Sequence, residues 1–499
     1  MPDSTIVAVA PAPSFKHTAL LRQQAFVGGA WVDAATQRQF AVVDPASGKP
    51  IAHVPDMGRD DVVRAIAAAD EALPAWRGKT AKERGVILRR WFDLIVAHQE
   101  DLAAIMTAEQ GKPLPEARGE VLFGASFIDW FAEEAKRAYG DVIPTYSNDR
   151  RILVLKQPVG VVAAITPWNF PSAMVTRKCG PALAAGCALV LKPAEDTPLS
   201  ALALAALAQE AGLPPGVLNV VTSSAAGAAA VGAELCANPI VRKLSFTGST
   251  EVGKLLMRQA AGTVKKLSLE LGGSAPFIVF ADADLDRAVT AAIASKFRAS
   301  GQTCTCSNRF FVQDEIYEAF AEKFVRIVAG LRVAPGTVDG SAIGPLINEA
   351  AVAKVDAHVV DARERGARVL TGGRRHALGG GFYEPTVLAD ATTEMLVCRE
   401  ETFGPVAPLV RFKTEADAIR MANDTRYGLA GYFFTRDLAR AWRVAEALEF
   451  GSVAINEGSF ASEIVPVGGF KESGVGREGS KYGIADYLEI KQVCVGGLG

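Results

Sequence analysis

Two thiols, Cys304 and Cys306, stand one residue apart in the run FRASGQTCTCSNR at residues 297–309. Apolar residues at helical spacing lead into it (Leu285, Ala288, Val289, Ala292, Ile293), and a strand-like run from Arg309 to Val312 leads out. A thiol on a loop between a helix and a strand is placed to be an exposed nucleophile. A free cysteine is also commonly a small buried hydrophobe. Gly301, just ahead of the thiols, lets the backbone turn close to a ligand. Elsewhere Thr247-Gly248-Ser249 follows a strand and opens a helix, where free N–H groups and the macrodipole suit a phosphate. The local pattern is Gly248 and Gly253 with four residues between, not GxGxxG, and an ordinary capped helix would read the same.

Elements that could position these groups follow from the patterning. Residues 60–140 read as helices: Val62, Ile66, Ala69 and Leu73 recur at helical spacing, with Asp60 and Asp61 as N-terminal caps and Pro74 ending the run. The β-branched segment ILVLKQPVGVVAAI (152–165) turns at Pro158-Val159-Gly160. Strands at 161–166, 188–191, 217–221 and 241–246 then alternate with Ala-rich helices, which predicts an α/β fold with a parallel sheet covered on both faces. A second αβ series runs from about 283 to 456, with strands near Phe310, Val387, Leu409 and Val453. In a doubly wound sheet ligands bind beyond the carboxyl ends of the strands. Three pieces fall there: Thr166-Pro167-Trp168-Asn169, Lys192-Pro193-Ala194-Glu195, and Thr247-Gly248-Ser249.

A chain of 499 residues predicts two or three domains. With 49% hydrophobic and 22% charged residues it builds large cores. A net charge of −2 argues against nucleic acid or an anionic membrane surface as partner, and no apolar run approaches a membrane span. The first 18 or so residues lack a basic start and are broken by Pro11 and Pro13, so they read as a loose tail rather than a signal peptide. Seven cysteines, mostly far apart, suit a reduced cytoplasm better than a disulfide framework. No CxxC or HExxH spacing suggests a metal, and five scattered histidines leave no obvious histidine base.

Six motifs in order, PWNFP (167–171), LKPAEDTP (191–198), FTGS (246–249), LELGG (269–273), GQTC (301–304) and EETFGP (400–405), resemble the aldehyde dehydrogenase superfamily from about Val27 to the C-terminus. The Cys-Thr-Cys and the closing GREGSKYGIADYLEIKQVCVGG are most similar to its succinate-semialdehyde dehydrogenases. The resemblance implies a Rossmann-type dinucleotide-binding domain (19–146 and 160–272), a catalytic thiol domain (273–465) and a small β oligomerisation arm (147–159 and 484–499), following a flexible tail (1–18). It also implies a homodimer or homotetramer.

Hydride transfer from an aldehyde needs a tetrahedral alkoxide, which a thiolate supplies by adding to the carbonyl; hydride loss leaves a thioester for water to release. By the resemblance Cys304 is that nucleophile, Asn169 the side-chain oxyanion donor, Glu270 the base for water and Glu478 a second carboxylate relaying protons outward. Alone, Glu270 at a strand end before two glycines reads as a solvated turn residue, and Glu478 as a surface residue. The resemblance places Gly248 and Ser249 on the pyrophosphate and Lys192 and Glu195 on the adenosine ribose. Glu401 would hold the nicotinamide ribose, with Phe403, Thr166 and Trp168 lining the cofactor site. NAD is expected over NADP, because Glu195 and Asp196 would repel a 2′-phosphate, with Lys192 a partial offset. Arg177, eight residues past Asn169, and Arg298, six before Cys304, match arginines that grip a substrate carboxylate. A third contact, usually serine in that subfamily, falls on Ala461, so Ser462 beside it is taken as the substrate-binding candidate. The implied substrate is therefore a short ω-carboxylated aldehyde, succinate semialdehyde first and glutarate semialdehyde as competitor. Cys306 is a possible redox partner for Cys304.

Overall fold

Five short strands, two of them (Val161–Ile165 and Ala188–Lys192) rich in Val, Leu and Ala, form the parallel centre of an eight-stranded sheet in the computed structural model, which describes residues 18–499. The strand order is Gly474–Val475, Lys266–Glu270, Val241–Thr247, Val161–Ile165, Ala188–Lys192, Leu218–Val220, Ala25–Val27 and Ala30–Val32. The first strand and the last two pair antiparallel to their neighbours. Alternation along each strand divides the core: Leu189 and Leu191 join one hydrophobic cluster, Ala188 and Val190 another on the opposite face. From Val161–Ile165 the chain winds outward through two strands, then returns to place Val241–Thr247 on the other side. That reversal opens a crevice at the carboxyl ends, where doubly wound folds bind ligands.

A second sheet of seven strands has the order Arg368–Thr371, Thr386–Ala389, Val406–Phe412, Ser307–Gln313, Ala275–Val279, Ala430–Phe434 and Ser452–Ile455. Only the first pairs antiparallel. Ala275–Val279 and Ala430–Phe434, central in this sheet, are additional to the strands expected there. The stretch Gly272-Gly273 lies between the last long strand of the first sheet and this central strand. A third sheet pairs Arg151–Pro158 along its whole length with Leu488–Val495, and Asp141–Ile143 adds to its other edge. The turn at residues 158–160 thus separates strands of two different sheets, and Gly160 adopts φ 127° there. The loose tail read at 1–18 lies outside the described residues except Thr18, which opens a short turn, Thr18–Leu20. Among the described residues no helix is long and apolar enough to cross a membrane.

One expectation fails in the helical layer. The first helix is Arg59–Gly78 and runs through Pro74. Pro74 is exposed, so the Asp70 carbonyl it leaves unbonded faces water. Leu73 and Trp76, both buried, hold the last turn in place, and the Trp76 indole donates to the Leu183 carbonyl at 3.2 Å. Gly58 rather than Asp60 occupies the N-cap, and the Asp61 carboxylate reaches back to its N–H at 2.9 Å.

Candidate active site

The thiol loop begins where the helix Leu285–Phe297 ends and closes at the strand Ser307–Gln313. Between them Ala299 (φ 49°, ψ 35°), Ser300 (φ 57°, ψ 30°) and Gly301 (φ 75°) are all left-handed. Two of these are not glycine, at roughly 1–2 kcal/mol each, so the surroundings must impose the turn. Glu116 accepts from the Ala299 N–H at 2.7 Å, and the Ser300 hydroxyl donates to the Gly344 carbonyl at 2.9 Å. A Cβ on Gly301 would come within 2.2 Å of the Gly404 carbonyl oxygen, which explains glycine at that position. Beyond the turn, the Gln302 side chain accepts from the Ile347 N–H at 2.9 Å. Cys304 follows, partly exposed on the wall of a cavity of about 590 Å³.

Asn169 meets this loop from the other side, with its amide donating to the Gln302 carbonyl at 2.9 Å. Its own segment is anchored by two residues absent from the sequence reading. The Lys112 ammonium donates to the Asn169 carbonyl at 2.7 Å and pairs with Glu120. Glu120 in turn accepts from the N–H groups of Ser172 and Ala173 at 3.0 and 3.2 Å. Burial pushes the Cys304 thiol up to about 12, Glu401 and Glu270 push the same way, and Arg177 opposes them.

Glu270 ends its strand 5% exposed, with one carboxylate oxygen unpartnered, so it is not a solvated turn residue. It is outside the residues lining the cavity but close enough for its charge to act on the thiol. Burial, then the charge of Glu478, raises it well above the usual carboxylate range, against Arg177, Lys178 and Arg477. Glu478 is not a surface residue either: it is buried, 2.5 Å from the Lys178 ammonium and 3.1 Å from Arg177 Nε. Burial alone would raise Glu478, but Lys178 and Arg177 outweigh it and hold it below the usual range. Lys178 also donates to the Ser245 hydroxyl at 3.1 Å.

Trp168, Asn169, Arg177, Gly248, Ser249, Arg298, Cys304, Glu401 and Phe403 all line the one cavity. Ser249 caps the helix Thr250–Ala260, accepting from the Val252 N–H at 3.3 Å, so this N-terminus faces the cavity. Gly248 lies so close to the Phe246 ring that a Cβ would stand 2.4 Å from it. Glu401 is held by the Gly273 N–H at 2.9 Å, and burial pushes it up to about 7. Phe403 (φ 56°) packs edge-on against Trp168, ring centroids 5.4 Å apart. Thr166 and Thr247 each bury a hydroxyl with no partner at the ends of the two strands flanking the crevice. An N-terminal helix end, a cavity-lining glycine at Gly248 and orphaned hydroxyls fit a dinucleotide. Lys192 and Glu195 lie off the cavity at the next strand end, 3.2 Å from each other.

The two arginines differ. Arg177 is already paired with Glu478, although its Nε and Nη2 lack a hydrogen-bond partner. Arg298 forms no ion pair with a described residue and stacks over the Phe170 ring at 5.6 Å. Ser462 departs from expectation: its hydroxyl turns to the Glu463 carboxylate at 3.0 Å, while Phe460 and Ala461 line the cavity instead. Cys306 is buried, its thiol directed to the Gly301 carbonyl (3.4 Å) and to Lys296 (3.9 Å), and both cysteines are free.

Comparison with known proteins gives the family of the chain. The sequence model of the aldehyde dehydrogenase family matches residues 31–493. The NADP+-dependent succinate-semialdehyde dehydrogenase of Escherichia coli K12 is 61% identical over 96% of this chain and 98% of its own length. A glutarate-semialdehyde dehydrogenase of Pseudomonas aeruginosa is 60% identical over 97% of this chain and 99% of its own. The crystal structure of succinate-semialdehyde dehydrogenase from Burkholderia pseudomallei superposes with a TM-score of 0.95 at 60% identity, covering 97% of this chain and all of that one. The E. coli relative overturns the expectation that NADP is disfavoured. The argument set the charges of Glu195 and Asp196 above the offset from Lys192, and the structure pairs that lysine ammonium directly with the Glu195 carboxylate at 3.2 Å.

Proposed function

The chain belongs to the aldehyde dehydrogenase family and is an aldehyde-oxidising enzyme, and on that premise we propose that its substrate is a short ω-carboxylated aldehyde, succinate semialdehyde first, oxidised through Cys304. The observation that carries the substrate reading is Arg298, a cation on the cavity wall with no anionic partner within ion-pairing distance among the described residues. A guanidinium there offers a carboxylate a planar, charge-assisted pair that a neutral aldehyde cannot replace. Arg177 adds a second guanidinium on the cavity wall, ion-paired through Nε with Glu478 and with Nη2 unbonded.

In this reading the Cys304 thiol releases its proton to solvent and the thiolate sulfur adds to the aldehyde carbon. The alkoxide is held by the Asn169 amide together with the Cys304 N–H, donors whose loss typically costs about 3–4 kcal/mol of barrier. A bound nicotinamide supplies the hydride acceptor. Ser249 and Gly248 would hold its pyrophosphate, Glu401 its ribose, and Trp168 and Phe403 the wall beside the ring. With the thioester formed, Glu270 takes a proton from water as the water oxygen attacks the thioester carbon, and the C–S bond breaks to release the acid and the Cys304 thiolate. Glu478, paired with Lys178, is the second carboxylate that passes that proton outward. NADP+ is accepted, as the name of the E. coli relative indicates for that enzyme.

The test is an aldehyde panel. The kcat/KM for succinate semialdehyde should exceed that for butanal by tens- to thousands-fold, the range given by a desolvated charge contact of about 2–5 kcal/mol. Arg298→Ala should remove most of that gap and leave butanal nearly unchanged. Glutarate semialdehyde belongs in the same panel, because Ala461 leaves space where a serine would narrow the cavity. If butanal matches the acids in the parent enzyme, both arginines are structural and the substrate assignment falls.

Two further expectations belong to this reading. Val142 and Ile490, 75% and 74% exposed on the three-stranded sheet, suit burial in a homo-oligomer. Peroxide should inactivate the enzyme reversibly: two thiols yield two protons and two electrons, giving a Cys304–Cys306 bridge and two waters. The bridge requires Cys306 to leave Lys296, and its small ring would be strained and readily opened by dithiothreitol. Cys306→Ala should lose that recovery; a variant recovering like the parent would remove Cys306 from the switch.

A further inference from the structure

The helix Leu114–Glu134 presents two carboxylates one turn apart, Glu116 and Glu120, toward the cavity. Residues four apart share one helix face. Each carboxylate takes hold of a different loop. Glu120 receives the N–H groups of Ser172 and Ala173, and with Lys112 fixes the segment that carries Asn169. Glu116 receives the N–H of Ala299, the first residue of the left-handed turn between Arg298 and Cys304, at 2.7 Å. The oxyanion donor and the nucleophile are thereby registered to a single rigid element.

Glu116 has a second relation to the site. It lines the same cavity as Arg298, with no ion pair between them, yet the arginine's charge acts on its carboxyl. Burial raises that carboxyl despite the Ala299 N–H and the nearby cations Lys112 and Arg298. A substrate carboxylate arriving at Arg298 would share its field with Glu116. We propose that Glu116 is a positioning residue: its hydrogen bond to Ala299 sets the turn that aims Cys304, and its charge weakens the grip of Arg298 on the substrate carboxylate. The second half rests on the substrate reading above; the first does not.

The two halves separate in Glu116→Ala and Glu116→Gln, each assayed with succinate semialdehyde and butanal. Alanine leaves the Ala299 N–H without its partner, so kcat should fall about tenfold with both aldehydes. Glutamine keeps an acceptor oxygen of the same reach and should restore kcat to within about twofold. It also removes the charge, so its KM for succinate semialdehyde should drop a few-fold below the parent's while KM for butanal stays put. Unchanged nicotinamide-dinucleotide affinity in both variants shows that they fold. Equal kcat loss in the two variants, or none in either, would overturn the positioning role. An unchanged KM in Glu116→Gln, with the parent still preferring the acid, would overturn the charge role. A parent with no such preference would sink the Arg298 reading instead, while the kcat comparison with butanal still decides the turn. Should Glu116→Ala not fold, Glu116→Gln retains both tests, since a kcat far below the parent's contradicts rescue.

Discussion

Cys304→Ala is expected to lower kcat by about 10⁴-fold or more while leaving dinucleotide affinity unchanged, because no other group can form the covalent intermediate. The neighbouring thiol does not substitute. Cys306 is buried, with its sulfur turned to Gly301 and Lys296, whereas Cys304 is partly exposed on the cavity wall. The same structure predicts how the parent thiol behaves in the absence of substrate. With its pKa pushed up to about 12, the thiol carries its proton in nearly every molecule at pH 7. A raised thiol pKa means that the reactive form gains with rising pH, about tenfold per unit, until pH reaches that value. Alkylation of the unliganded enzyme by iodoacetamide should therefore be slow at neutrality and climb through the whole accessible range. Fast, pH-independent alkylation at pH 7 would mean that the thiol is already ionised, and that the burial argument is wrong. Residual turnover in Cys304→Ala near the parent's would dismiss the nucleophile altogether.

What could be read from the chain and what could not divide along a physical line. The parallel strands were legible because Val161–Ile165 and Ala188–Lys192 are short apolar runs separated by helical patterning, and the ligand side of such a sheet follows from topology. The thiol, Asn169 and Arg298 were legible as residue types on loops in recognisable motifs. The helix end at Pro74 was misread because local punctuation lost to burial of Leu73 and Trp76. Ser462 was misplaced because one residue of register on a loop decides which side chain faces a cavity, and here it is Ala461. Glu116, Glu120 and Lys112 were invisible for a different reason. Glu116 acts on a backbone N–H 183 residues away, and nothing in a helical run reveals such a contact. Lys178, directly after Arg177, is likewise an ordinary helix residue until Glu478 is brought to it across 300 positions. The preference for NAD failed similarly: Lys192 was counted only as a partial offset to Glu195 and Asp196, and the fold sets its ammonium directly on the Glu195 carboxylate.

Glu270→Gln should retain one round of chemistry and lose turnover. The first equivalent of aldehyde should give a burst of reduced nicotinamide, followed by a steady rate about 10²–10⁴-fold below the parent's, the usual contribution of a positioned base. Glutamine preserves size and hydrogen bonding, so the loss isolates the proton-accepting role from packing. A variant that shows neither burst nor turnover would mean that Glu270 is also needed to take the Cys304 proton. One with parental turnover would remove it from the base role. The parent's pH profile carries the companion signature. Burial and then the Glu478 charge raise the Glu270 carboxyl well above its usual range, so it is protonated and inert as a base at low pH. Turnover should accordingly rise with pH through that raised value. Glu478→Gln removes the second of those two causes and also leaves Lys178 and Arg177 without their shared anion. Both changes favour an ionised Glu270, so its pKa falls and the rising limb of the profile moves to lower pH. A limb that stays in place, or moves upward, would show that the two carboxyls do not titrate as neighbours.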